Sequence, residues 1–223
     1  MRTHTFEQGS TDWAFTRLGM PTASQFDRIL TPKTLKPSAG QAKYRAELLA
    51  EWLMGQPLDW GTTAYMERGT EMEDEARDWY CFDRGVDVEQ VGFVTRDDGF
   101  VGGSPDGLVG QNGGLEIKCP GPANHVLYML EEDIGYVGQV QGYMYLTGRE
   151  WWDVLSYHPD LPKVVTRVAR SEEYVAKLVP ALDSFVERLE ADKVRLAEHR
   201  VERPWHPEAI AAMKAYNKER GIT

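Results

Sequence analysis

The stretch Ser104-Pro-Asp-Gly-Leu-Val-Gly-Gln-Asn-Gly-Gly-Leu-Glu-Ile-Lys-Cys-Pro120 constrains the fold of this chain more than any other. Its middle, Gly110-Gln-Asn-Gly-Gly114, is rich in turn formers and separates two apolar runs, so the flanks are expected to pair as a β-hairpin. Gly113-Gly114 is expected to turn the chain into a strand over Leu115–Cys119. On a strand, residues two apart share a face, so Glu116 and Lys118 point one way while Leu115 and Ile117 point the other. Pairing carries Asp106 towards Glu116 and Lys118. Two carboxylates and an ammonium then meet on one face of a sheet.

The rest of the pattern says what surrounds that hairpin. Leu18–Leu30 is expected as a short helix entered through Thr22-Ala-Ser24, hydroxyl residues suited to an N-cap. A Pro- and Gly-punctuated loop (31–40) precedes a helix from about Gln41 to Met54, and another helix covers about Thr62 to Arg84. Strand-like runs follow at Val86–Thr95 and Phe100–Val109, then a helix at Gly138–Leu146 and strands at Trp151–Tyr157 and Val164–Ala169. Val175, Leu178, Val179, Leu182, Phe185, Val186 and Leu189 form one apolar stripe of a last helix, in which Pro180 is expected to make a kink or mark the first turn. Helices, then strands, then helices predict one α/β domain with a central mixed sheet flanked by helices. That domain spans residues 1–223, with a core of about 13–190 and a helical tail of about 200–223.

Oxygen donors such as Asp106 and Glu116 suit Mg²⁺ or Mn²⁺, and the backbone carbonyl of Ile117 offers a further ligand. A bound metal lowers the pKa of a water and neutralises charge on a phosphate. Lys118 can orient or deprotonate that water, or stabilise the transition state. On the helix from Thr62, Tyr65, Met66, Gly69, Met72, Ala76, Trp79 and Tyr80 share one arc at about 100° per residue. Glu67, Glu71, Asp74, Glu75 and Asp78 fall outside that arc and make a solvated face, but Glu73 falls inside it. A carboxylate on an apolar face calls for a cation or a metal. Gln139 and Tyr143, one helical turn apart, can meet a substrate phosphate together.

A net charge of −10 argues against nucleic acid only as a sum, because binding depends on where charges sit. Pro32–Arg45 runs the other way, with Lys33, Lys36, Lys43 and Arg45 and no acid. Two cysteines, Cys81 and Cys119, are too few for a four-cysteine metal or cluster site and suit a reducing compartment. No run approaches the roughly 18 apolar residues of a membrane span, and the first residues show no apolar secretory segment, so a cytoplasmic protein is expected.

The motifs taken together resemble those of the phage lambda-type exonucleases, the alkaline exonucleases of viral recombination systems, within the PD-(D/E)xK nucleases. The likeness runs from about Trp13 to Phe185: Trp13…Arg17-Leu-Gly19…Thr22-Ala-Ser24, Gly69…Glu73…Ala76-Arg77, Ser104-Pro-Asp-Gly-Leu108, Leu115-Glu-Ile-Lys-Cys-Pro120 and Gln139-Val-Gln141. It implies a restriction-endonuclease-like core whose metal and catalytic centre is Asp106, Glu116 and Lys118, completed by Glu73 with Gln139 beside it. It further implies that Arg17 and Ser24 hold a terminal 5′-phosphate. The expected cofactor is Mg²⁺, as two ions, with Mn²⁺ as the alternative. The resemblance also implies a homotrimeric ring threading duplex DNA ends, with Lys33, Lys36, Lys43 and Arg45 as candidate channel lining and a single-strand annealing recombinase as partner. Such an enzyme degrades the 5′-ended strand to mononucleotides and leaves a 3′ overhang. The alternatives are an endonuclease or helicase-associated nuclease on the same core, and a non-catalytic DNA-end-binding scaffold.

Overall fold

The computed structural model describes residues 1–58, 64–131 and 135–200, with the backbone alone for 64–71. The chain opens with strand β1 (Arg2–His4) and helix α1 (Thr11–Arg17). Ser10 caps that helix, its hydroxyl accepting from the Trp13 N–H, one of the donors a helix start leaves unpaired. The single helix expected over Leu18–Leu30 is not formed. Helical turns lie instead on either side of a break, in α1 and in a 3-10 helix at Ala23–Arg28. The break is local chemistry: Gly19 takes a left-handed φ of 63°, and Pro21 follows two residues later. Gly19 is also a close approach, since a Cβ there would stand 3.1 Å from the Leu48 carbonyl oxygen.

Strands β2 (Leu30–Thr31) and β3 (Lys36–Pro37) pair as a short ribbon inside the stretch expected to be loop. Helix α2 (Gln41–Met54) follows, stopped by Gly55 in the left-handed region, and then helix α3 (Ala64–Arg84). Strands β4 (Val88–Glu89) and β5 (Phe93–Thr95) come from the run expected as one strand, but they join different sheets. Strand β6 (Gly102–Gly103) completes a three-stranded sheet ordered β1-β5-β6. The hairpin forms as β7 (Gly107–Val109) and β8 (Gly113–Lys118). Helices α4 (Pro122–Leu130) and α5 (Val137–Thr147) lead to β9 (Trp151–Ser156) and β10 (Val164–Ala169), and α6 (Glu172–Leu196) follows. Helices α1 and α4 were not anticipated. The tail from Val201 lies outside the described residues, as do the side chains of Glu67 and Glu71.

The central sheet is ordered β10-β9-β8-β7-β4, and only β8 and β9 run parallel, so it is mixed as expected. Two glycines make that pairing possible. Gly113 and Gly114 stand opposite Trp151 and Trp152, and a Cβ on either would fall 2.1 or 2.4 Å from an indole ring. Alternation then splits the sheet's faces. Leu115, Ile117, Leu155 and Tyr157 pack with Ala76 and Tyr80 of α3 on one side. Leu108, Trp152 and Val154 pack with Val140, Tyr143 and Met144 of α5 on the other. Helix α6 closes that second layer through the predicted stripe, with Leu178, Leu182, Phe185 and Leu189 buried. Pro180 lies inside the helix rather than in its first turn, at an exposed position where the freed carbonyl one turn back can meet water. Among the described residues no helix is long and apolar enough to cross a membrane.

Candidate active site

The hairpin turn is shorter than expected, because Val109 pairs with Gly113 and only Gly110–Asn112 make the loop. Gly110 supplies the positive φ of 51° that the turn requires. Arg149 clamps it, its Nη1 donating to the carbonyls of Gly110 at 2.8 Å and Gly113 at 2.7 Å. At the opposite end of the hairpin Asp106 immediately precedes β7, and its carboxylate accepts the Ile117 N–H at 2.6 Å. Glu116, buried on β8, accepts through one oxygen from the Lys118 ammonium at 2.5 Å and from the Gln139 amide at 2.6 Å. Asp106, Glu116 and Lys118 are therefore gathered as the spacing predicts, and Gln139 joins them.

Too much negative charge is gathered there for the groups present. Burial, and then the neighbouring Asp106, pushes the Glu116 carboxyl up to about 8. Burial raises Asp106 as well, opposed by Lys118. Glu73, partly buried on α3, is pushed up to about 7 by burial and then by Asp106, which places it within electrostatic reach of the hairpin. Burial alone would lower the Lys118 ammonium, but Glu116 and Asp106 outweigh it and raise it above an ordinary lysine. One ammonium does not neutralise three carboxylates. The second oxygen of Glu116 is buried and has no hydrogen-bond partner among the described residues.

Among the described residues no three His, Cys, Asp or Glu side chains already form a metal-holding group. The donors nevertheless fit a hard divalent cation. Asp106 and Glu116 offer carboxylate oxygens on one strand pair, one of them unmatched, and Glu73 stands nearby with a raised pKa that a cation would reverse.

Behind the carboxylates runs a line of polar contacts. The Gln139 amide donates also to the Tyr143 hydroxyl at 2.9 Å, and that hydroxyl donates to the Ser104 carbonyl at 2.8 Å. The Ser104 hydroxyl accepts from the Trp13 indole N–H at 2.7 Å, and the Arg17 guanidinium lies 3.9 Å over the Trp13 ring. Tyr143 is 2% exposed, so it supports the hairpin from behind instead of facing a substrate phosphate, contrary to expectation. Burial lowers the Arg17 pKa, and no carboxylate pairs with it among the described residues; the nearest acid influence, Glu51, accepts from the backbone of Gly19 and Leu58. Ser24 is exposed in the 3-10 helix, its hydroxyl 3.4 Å from that of Thr22.

The basic segment is placed on other elements. Lys33 and Lys36 are exposed on the β2–β3 ribbon and Lys43 is exposed on α2. Arg45 is tied to Asp192 of α6 at 3.0 Å, so its charge is spent inside the fold and it is a poor channel lining. Trp13 and Ser104 act here as structural links that spacing did not single out. The i, i+4 interval from Trp13 to Arg17 was the available signal for the first of them.

The family model of the YqaJ-like viral recombinase domain matches residues 12–150. Among solved structures, the alkaline exonuclease LHK-Exo from Laribacter hongkongensis is 34% identical with a TM-score of 0.74, over 85% of this chain and 97% of that one. LHK-Exo in complex with dAMP matches at the same identity and TM-score, over 85% of this chain and 99% of that one. A phage related exonuclease from Haemophilus somnus 129PT shares the fold at 16% identity and a TM-score of 0.57, over 86% of this chain and 97% of that one. Curated protein sequences give no match. The mixed sheet flanked by helices is the restriction-endonuclease-like fold of these nucleases.

Proposed function

The chain belongs to the YqaJ-like viral recombinase family and is a DNA exonuclease of the lambda type, and from that premise we propose that it digests the 5′-ended strand of linear duplex DNA to mononucleotides, leaving a 3′ overhang. The observation that carries this reading is Arg17. A desolvated guanidinium with no acid partner among the described residues, held by Trp13 against the catalytic hairpin, is a receptor for an anion. A terminal 5′-phosphate is the anion that sets an exonuclease at its end, and Ser24 adds an exposed hydroxyl from the following helix. The mononucleotide in the LHK-Exo complex supports release of single nucleotides.

Asp106, Glu116, Glu73 and the Ile117 carbonyl would hold Mg²⁺, as two ions, or Mn²⁺, which supplies a Lewis acid and an acidified water. Around it Lys118 orients the attacking water or balances charge on the phosphorane, and Gln139 fixes the Glu116 carboxylate. Attack at phosphorus breaks the bond to the 3′-oxygen of the departing 5′-nucleotide. A cytoplasmic homotrimeric ring acting with a single-strand annealing recombinase completes the proposal, with Lys33, Lys36 and Lys43 turned to DNA.

The test is a Mg²⁺ digestion series. Linear 5′-phosphorylated duplex should yield mononucleotides, its 5′-hydroxyl counterpart should be digested more slowly, and closed circles should survive. Asp106→Ala should be folded and inactive, and Arg17→Ala should lose the preference for phosphorylated ends. Cutting of closed circles would replace the exonuclease with an endonuclease.

A further inference from the structure

Lys118 is held from two sides, and only one of them is a carboxylate. Glu116 takes its ammonium at 2.5 Å, while on another side Nζ lies 4.7 Å from the centre of the Tyr136 ring. Tyr136 is the residue before α5, three ahead of the Gln139 that grips the same Glu116 oxygen. Its hydroxyl is 3.1 Å from that of Tyr128 on α4, with the two rings 6.3 Å apart and inclined at 55°. Two helices thus converge on one ring, and the ring faces the ammonium.

Other tyrosine rings also sit under cations, Arg28 lying 4.7 Å over Tyr44 and Lys163 5.0 Å over Tyr157, but the cation over Tyr136 belongs to the candidate active site. Tyr44 and Tyr143 are 4% and 2% exposed, and their hydroxyls serve the backbone of Thr22 and Ser104. Tyr136 is only partly buried, at the margin of the main core, and its hydroxyl meets another partly exposed tyrosine. Its ring face is used on a charge.

A lysine ammonium on a four-carbon stem is mobile, and one contact to Glu116 fixes its distance but not its direction. A ring face attracts the cation without offering a proton acceptor, so it restrains Lys118 without competing for its protons. We propose that Tyr136 is a positioning residue for Lys118, aiming its ammonium into the site, and that Tyr128 braces the Tyr136 ring. The inference rests on the nuclease reading above, and it assigns roles to Tyr128 of α4 and to Tyr136 at the start of α5, outside the carboxylate centre.

Tyr136→Leu should lower kcat about 10–100-fold, the scale of a small misplacement of a catalytic group. KM for DNA ends should change little, because Arg17 and Ser24 sit on other elements. Tyr136→Phe keeps the ring face but loses the hydroxyl contact to Tyr128, as Tyr128→Phe also does, so both should hold kcat within a few fold of wild type and well above Tyr136→Leu. A second readout needs no DNA. In protein labelled with ¹³Cε-lysine, the Lys118 methylene, assigned by its loss in Lys118→Arg, should be shifted upfield by the ring in wild type and Tyr136→Phe and return in Tyr136→Leu. An unshifted wild-type resonance overturns the contact, and an unchanged kcat in Tyr136→Leu overturns the positioning role. Failure of the nuclease reading looks different: a shifted resonance in a wild type that digests no DNA.

Discussion

Replacing Tyr143 by Phe deletes one oxygen from a place solvent does not reach. That oxygen makes two hydrogen bonds, donating to the Ser104 carbonyl at 2.8 Å and accepting from the Gln139 amide at 2.9 Å. A neutral hydrogen bond contributes about 0.5–1.5 kcal/mol net, and a buried partner left unmatched costs about 1–3 kcal/mol. The ring stays, so there is no cavity to add. Gln139 keeps its bond to Glu116, and Ser104 is only partly buried, which limits how many groups are stranded. The expected loss is therefore about 2 kcal/mol. In a domain of this size that lowers Tm by roughly 4–8 °C. Ser104 stands two residues before Asp106 and Gln139 holds Glu116, so both carboxylates loosen. Digestion of 5′-phosphorylated duplex should then show kcat down about 10-fold with KM nearly constant, since a positioning defect acts on the transition state. A raised KM with unchanged kcat would show that Tyr143 touches DNA and would refute the buried-support argument.

Two further outcomes are expected. On the other face of the sheet the buried Asp153 takes two bonds from Arg167, at 2.7 and 2.9 Å, and one from the Tyr80 hydroxyl at 2.7 Å, while the Arg167 side chain is 56% exposed. Arg167→Ala leaves an uncompensated buried carboxylate and should cost about 3 kcal/mol in urea unfolding, whereas Asp153→Asn returns the guanidinium to water and should cost less; the opposite order would contradict the account. Mg²⁺ at about 100 times its Kd should stabilise the DNA-free wild type by about 2.7 kcal/mol and leave Glu116→Gln nearly unmoved, so equal melting shifts in the two proteins would remove Glu116 from the metal site.

Much of the fold was legible because its signals are local. The aromatic and β-branched runs Trp151–Tyr157 and Val164–Ala169 and the apolar stripe from Val175 to Leu189 produced strands and a helix where they were expected, β9 ending one residue sooner at Ser156. The failures also have local causes that competing signals hid. Val86–Thr95 has the composition of one strand, yet Gln90–Gly92 divides it, with the Gly92 N–H donating to the His4 carbonyl, so its halves pair with β7 and β1. Helix α4 escaped because Pro120-Gly-Pro122 looks like a loop, although proline is well suited to a helix's first position.

The candidate site divides along the same line. Asp106, Glu116 and Lys118 were readable because a hairpin converts spacing directly into facing, and Gln139 and Tyr143 because a helical turn does the same. Spacing gives mutual contact but not the direction in which a pair points. Gln139 and Tyr143 do touch, yet Tyr143 turns inward to Ser104, which only the packing of α5 against the sheet decides. The link from Trp13 to Ser104 spans 91 residues and joins the two ends of the candidate mechanism, the group that would grip the terminal phosphate and the carboxylates that would serve hydrolysis of the adjoining phosphodiester. No periodicity encodes such a bond. It exists because the tertiary fold brings α1 against the residues just before the hairpin, so any coupling between the proposed end recognition and the proposed catalysis would be a property of tertiary structure, not of motif order.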